Sequence, residues 1–167
     1  MDAIEAILTR RSIRKYTDQK ISPELVEELL KAAMSAPSAN NSQPWHFVII
    51  NERQILDRVP QFHAYSSMLY FAPLAIAVCG DSNVSPLYWV QDCSAATENI
   101  LLAAHARGLG AVWLGIHPIE QRVQALGKLL VLPENIVPLC IISLGYPAAG
   151  KPSENRYNPA RVHCNQW

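Results

Sequence analysis

Two short segments near the start of the chain hold its most distinctive side chains. Arg10-Arg11-Ser12-Ile13-Arg14-Lys15-Tyr16 gathers cations around one hydroxyl, and Ala36 to Trp45 sets Ser38, Asn40, Asn41, Ser42 and Gln43 between Pro37 and Pro44. Guanidinium forks beside a hydroxyl suit phosphate oxygens, which they bind through charge-assisted hydrogen bonds. Carboxamides offer both donors and acceptors, as needed to read a ring edge on which carbonyls alternate with an N–H. Together the segments describe a ligand with a phosphate at one end and a hydrogen-bonding heterocycle at the other. A phosphorylated flavin has that form. Each segment alone also has a plainer reading: a solvated basic turn, and a loop of ordinary Asn and Ser turn formers.

Composition narrows the classes of partner. Half of the 167 residues are hydrophobic, enough for the core of one domain. Lys plus Arg and Asp plus Glu balance at 14 each, so no broad field attracts nucleic acid or an acidic membrane, and any anion site is local. Asp2 and Glu5 interrupt the first apolar stretch, and Pro73 or polar residues break the longer ones. Neither a signal peptide nor a membrane span is expected, which points to the cytoplasm. The four cysteines at 79, 93, 140 and 164 are widely spaced and read as free thiols. The five histidines form no paired ligand spacing, and no metal is expected.

The elements that must position the two segments follow from periodicity. Ile4, Ile7 and Leu8 form one stripe of a short helix from Asp2 to about Thr9, whose C-terminal end meets Arg10 and Arg11. Ser22-Pro23-Glu24 opens a second helix with Leu25, Val26, Leu29, Leu30 and Ala33 on its buried face. Strands are expected at Trp45 to Ile50, Leu74 to Cys79, Ala111 to Leu114 and Val137 to Leu144. Helices are expected at Glu52 to Val59, Leu87 to Arg107 and Pro118 to Leu129, the second ended by Gly108-Leu109-Gly110. Residues 60–73 carry no clear period. From Tyr146 the chain is rich in Pro, Asn and charge, and reads as an arm docked on something else, a neighbouring subunit being the natural candidate. The whole chain, 1–167, reads as one domain with this arm at about 146–167.

In three ordered motifs the chain resembles the nitroreductase family of flavin mononucleotide (FMN) enzymes. These are Arg10-Arg11-Ser12-Ile13-Arg14-Lys15-Tyr16, the Pro37-Ser38 to Gln43-Pro44-Trp45 segment, and Gly108-Leu109-Gly110-Ala111-Val112-Trp113-Leu114-Gly115. The resemblance implies an α+β fold, with a central mixed and mainly antiparallel sheet flanked by helices. It also implies a homodimer with FMN at the interface and the C-terminal arm exchanged between subunits. Arg10, Arg11 and Ser12 then correspond to phosphate and ribityl contacts, and Arg14 to a cation near flavin N1 and C2. Pro37, Ser38, Asn41 and Gln43 correspond to ring contacts, Trp113, Leu114 and Gly115 to backbone beside N5 and O4, and Arg156 to a basic residue completing the phosphate site, with Arg161 as competitor.

The implied activity is ping-pong hydride transfer from NADH or NADPH through FMN to nitroaromatics, quinones or activated alkenes, with no catalytic side chain required. The same scaffold also serves dehydrogenation, dehalogenation and flavin destruction, and a flavin carrier without turnover is a further alternative. His46, Cys93 and His105 read as structural, whereas Tyr65, Tyr70 and Phe71 read either as a cover over the ring or as core. The short span between Ile50 and Leu74 leaves little room for the extra helices of larger family members, so an open pocket is expected.

Overall fold

The computed structural model describes Met1–Trp167. Its framework is a sheet of four strands, β1 (Trp45–Ile50), β2 (Leu74–Asp81), β3 (Gly110–Gly115) and β4 (Ile136–Gly145), in the order β1-β2-β4-β3. All three pairings are antiparallel. A parallel contact enters only through the isolated bridge between Ser12 and Ala111.

β2 is apolar on both faces because both are covered. Ile76 and Val78 join the core beneath α2 (Pro23–Met34) and α4 (Trp89–Ala106), while Ala75, Ala77 and Cys79 join the core beneath α3 (Arg53–Leu56) and α5 (Glu120–Leu130). The result is three layers, α on β on α. Full burial of a large aliphatic such as Ile76, Ile100, Ile142 or Leu144 contributes about 1.5–3 kcal/mol each. Ala33 and Ala96 are completely buried between α2, α4 and the sheet, where a small side chain lets the helices lie close. Ser22 caps α2 by accepting from the Leu25 N–H, with Pro23 at the first turn.

The expected helix from Glu52 to Val59 is shorter than the periodicity suggests. α3 stops at Leu56, and a separate 3-10 turn spans Val59–Gln61. Pro60 supplies no N–H, so no helical hydrogen bond can run from residue 60 back to the Leu56 carbonyl. The stretch that follows is organised over long range by Arg53, whose guanidinium donates to the carbonyls of Leu69, Tyr70 and Ala72.

α1 (Ala3–Thr9) forms as expected, capped by Asp2, but the stripe of Ile4, Ile7 and Leu8 is exposed and only Ala6 is buried. Polar ties dock α1 on α4: Thr9 Oγ1 lies 2.8 Å from His105 Nε2, and Arg10 Nε lies 3.1 Å from Glu98 Oε1. The arm after Tyr146 begins by pairing with the basic segment, Ala148 N donating to the Lys15 carbonyl, and every residue from 147 onward is exposed, Tyr157 and Trp167 included. No helix is long and apolar enough to cross a membrane.

Candidate functional site

The basic segment is fixed against the β3 edge of the sheet. Ile13 N donates to the Ala111 carbonyl at 2.9 Å, and Thr17 N to the Tyr146 carbonyl at 2.8 Å. Two glycines allow this close approach. A Cβ on Gly110 would stand 2.6 Å from Ile13, and one on Gly145 would stand 2.7 Å from the Tyr16 ring. Tyr16 closes the segment by donating its hydroxyl to the Ile13 carbonyl at 2.8 Å, and burial pushes its pKa up to about 12. With Ile13 and Tyr16 locked inward, Arg14 is left exposed.

Arg14 opens onto a pocket of about 480 Å³ that is also lined by Trp113, Leu114 and Gly115. Three residues expected together are thus joined by Arg14 at one place. The backbone of β3 is presented there in a specific way. The Ala111 carbonyl faces away from β4 to accept from Ile13, and the Gly115 carbonyl accepts from Arg122 Nη1 at 2.9 Å and faces His63 Nε2 at 3.0 Å. In an antiparallel strand a residue's N–H and C=O point to the same side and alternate along the chain. The N–H groups of Trp113 and Gly115 therefore lie on the open edge. A Cβ on Gly115 would meet nothing within 4 Å, so the space beside this backbone is free for a ligand.

A second groove lies alongside, lined by Arg10, Arg11 and Arg156. Its cations are neutralised by acids of the chain itself: Glu98 holds Arg10, and the exposed Glu154 lies 3.1 Å from Arg11 and 3.7 Å from Arg156. Arg161 is exposed in a separate 3-10 turn and does not line this groove. Ser12 lines neither groove nor pocket and is bridged to Ala111.

The amide segment is elsewhere. Asn40, Asn41 and Gln43 all have left-handed backbone, with φ of 54°, 54° and 48°. Non-glycine residues persist in that region only when their surroundings hold them there, and such outliers gather at binding sites. Ser38 Oγ accepts from Gln43 N at 3.0 Å, and Gln43 Nε2 donates to Asn41 Oδ1 at 2.9 Å. Beneath the loop, Asp92 in the first turn of α4 is buried and accepts from Ala39 N at 2.9 Å, Ser42 Oγ at 3.4 Å and Ser85 Oγ at 3.1 Å. Asn41, Gln43 and Pro37 remain exposed. This loop leads into β1, at the opposite edge of the sheet from β3, roughly 14 Å away across three strand spacings. One chain does not bring the amide segment and the Gly115 edge together.

Periodicity gave no sign of Asp92, His63 or Arg122 as site residues. His63 is buried, and desolvation, with the neighbouring Arg122 charge, pulls its pKa below the ordinary histidine value. That direction favours the neutral ring, and against a carbonyl oxygen its Nε2 is the donor. Of the aromatics with two readings, Tyr65 is exposed at the mouth of the pocket, whereas Tyr70 and Phe71 are exposed at a different groove beside Arg53. His46 is exposed on β1, Cys93 is buried against the Cys79 carbonyl, and His105 is engaged by Thr9.

Comparison with known proteins decides the family. The model of the nitroreductase family matches residues 7–73 and 63–146. The chain belongs to the nitroreductase family. It is 48% identical to a Methanothermobacter thermautotrophicus protein named "Putative NADH dehydrogenase/NAD(P)H nitroreductase", over 100% of this chain and 88% of that one. A structure from Parabacteroides distasonis bearing the same name superposes with a TM-score of 0.97 at 41% identity, over 99% of this chain and 98% of the other. An FMN-dependent nitroreductase from Clostridium difficile superposes with a TM-score of 0.92 at 31% identity, over 98% and 99%. The nitroreductase fold thus spans the whole chain, and the residues matched by the family model include Arg10, Arg11, Arg14, the amide loop and Gly115, whereas Arg156 lies beyond them.

Proposed function

We propose that this nitroreductase-family chain reduces nitroaromatics, quinones or activated alkenes by ping-pong hydride transfer, on FMN held between two subunits. The chain is an FMN-dependent NAD(P)H oxidoreductase. The observation that carries the site assignment is the open backbone edge at Gly115, with Arg14 beside it and free volume where a Cβ would stand. These residues fit a flavin ring, and the adjoining groove of Arg10, Arg11 and Arg156 fits its phosphate. Bound there, FMN would supply hydride chemistry, serving NADH or NADPH as donor and an oxidised acceptor in turn.

The chain's own residues bind, orient and tune. Arg10, Arg11, Ser12 and Arg156 hold the phosphate and ribityl end. Arg14 would place its guanidinium toward the pyrimidine end, where a cation would favour the reduced flavin. Gly115 and Trp113 offer backbone N–H groups along the ring edge, with Leu114 behind them. Neutral His63 keeps the Gly115 carbonyl engaged and fixes that edge. Pro37, Ser38, Asn41 and Gln43 reach the ring from the partner, because in one chain they sit across the full width of the sheet. The exposed Ile4, Ile7 and Leu8 stripe, together with Tyr157, Val162 and Trp167 of the arm, supplies apolar surface for that association.

Subunit complementation tests the composite site. One parent carries Gly115→Val and the other Asn41→Ala with Gln43→Ala. Neither alone is expected to retain FMN. After equal mixing and subunit exchange, about a quarter of the sites should bind FMN again, since half of the dimers are mixed and each has one intact site. No recovery despite proven exchange contradicts contributions from two subunits.

The groove yields a smaller prediction. Glu154 occupies the cations that the phosphate needs, so Glu154→Gln should tighten FMN binding. Both partners are exposed, and such ion pairs contribute about 0–1 kcal/mol, so the gain should be within about fivefold, read by fluorescence titration of the apoprotein.

A further inference from the structure

We propose that Arg122 forms an oxyanion subsite in the pocket beside Gly115, selecting reactants that carry an anionic oxygen group, an aromatic carboxylate above all. The proposal rests on the flavin reading of that pocket and adds to it a class of substrate.

The charge inventory of the pocket carries it. In a chain of zero net charge, this pocket is lined by two arginines, Arg14 and Arg122, and by no carboxylate. Neither arginine joins any of the chain's ion pairs. Arg14 is taken up by the pyrimidine end of the flavin, and the phosphate has its own cations in the adjoining groove. Arg122 is left over. It is half-buried on α5 and makes a single hydrogen bond, Nη1 to the Gly115 carbonyl at 2.9 Å. That carbonyl is already served by His63 Nε2 at 3.0 Å, so satisfying it does not require a guanidinium. A planar cation with five N–H donors, one of them used, matches the paired oxygens of a carboxylate. His63 adds no competing charge, because burial keeps the ring neutral. Tyr65 at the mouth offers an aromatic face to a ring that bears the anion.

The same chemistry has two sources, the carboxylate of an acceptor and the 2′-phosphate of NADPH. The test uses flavin-loaded protein and compares 4-nitrobenzoate with its neutral analogue 4-nitrobenzyl alcohol. Arg122→Gln, which keeps a donor for the Gly115 carbonyl, is expected to raise the KM for 4-nitrobenzoate about tenfold or more while shifting that for the alcohol less than about twofold. Arg122→Lys should recover most of the difference. Rapid reduction by NADPH and by NADH in the same variants separates the sources: a loss confined to NADPH assigns the subsite to the dinucleotide phosphate. Acceptors or dinucleotides that all shift together in Arg122→Gln mark a structural role and overturn the proposal alone. A wild-type protein that retains no FMN overturns it together with the flavin reading.

Discussion

Gly115→Val is expected to abolish retention of FMN while leaving the fold intact. The expectation comes from two facts about one atom. A Cβ at this position meets nothing within 4 Å, so the apoprotein gains no clash. Valine also suits an extended strand, and the change in stability should stay within about 1 kcal/mol. Yet the side chain fills the space beside the N–H groups of the β3 edge, which is where a flat ring has to lie to receive them. A ring held off by a branched side chain loses both hydrogen bonds and contact area, which should cost more than about a hundredfold in affinity. Equilibrium titration with FMN, beside thermal melts of the apoprotein, checks both halves. A variant that binds FMN within about tenfold of the wild type places the ring elsewhere. Gly110→Val and Gly145→Val make the contrast, since their side chains collide with Ile13 and Tyr16 and should lower stability itself.

Asp92→Ala should produce the largest loss of stability among site variants, and with it a loosened amide loop. The carboxylate is buried and serves Ala39 N, Ser42 Oγ and Ser85 Oγ at once. Removing it strands these donors beneath a loop whose backbone is left-handed at Asn40, Asn41 and Gln43. A buried group serving several donors is worth about 2–4 kcal/mol when deleted, and the strained loop has little else to hold it. FMN affinity should fall with stability, by about tenfold, because Asn41 and Gln43 lose their fixed placement. Asp92→Asn keeps an acceptor for Ala39 N, and the two hydroxyls can rotate, so it should lose less than half as much. Denaturant melts of all three proteins check the order. Equal stability in wild type and Asp92→Ala contradicts the assigned role.

Much of this molecule was legible in its sequence, for identifiable reasons. β2 and β4 announced themselves because strands buried on both faces are apolar almost throughout, Ser143 being the exception in β4, and the observed ends lie within two residues of those expected. α2 was legible from Ser22-Pro23 and its stripe. Residues 60–73 were not, because their 3-10 turns owe their order to Arg53, distant in sequence, and leave no period to read. The stripe of α1 was seen, but not that it would face outward, since periodicity marks an apolar face without naming what covers it. Arg14 and Gly115 were singled out from motifs, and the structure brings them to one pocket: Gly110 and Gly145 let the basic segment lie close against the sheet. Nothing in the periodicity singled out Asp92 or Arg122. Only tertiary contacts distinguish them.

This chain is expected to carry FMN that a nicotinamide reduces. The most direct measurement is the visible spectrum of the purified protein, reconstituted with FMN if pale, followed by anaerobic addition of NADH and then NADPH. A yellow protein bleached rapidly by one equivalent of either donor is the expected result. A colourless protein that no amount of FMN restores, or a yellow one that neither donor bleaches, contradicts the account.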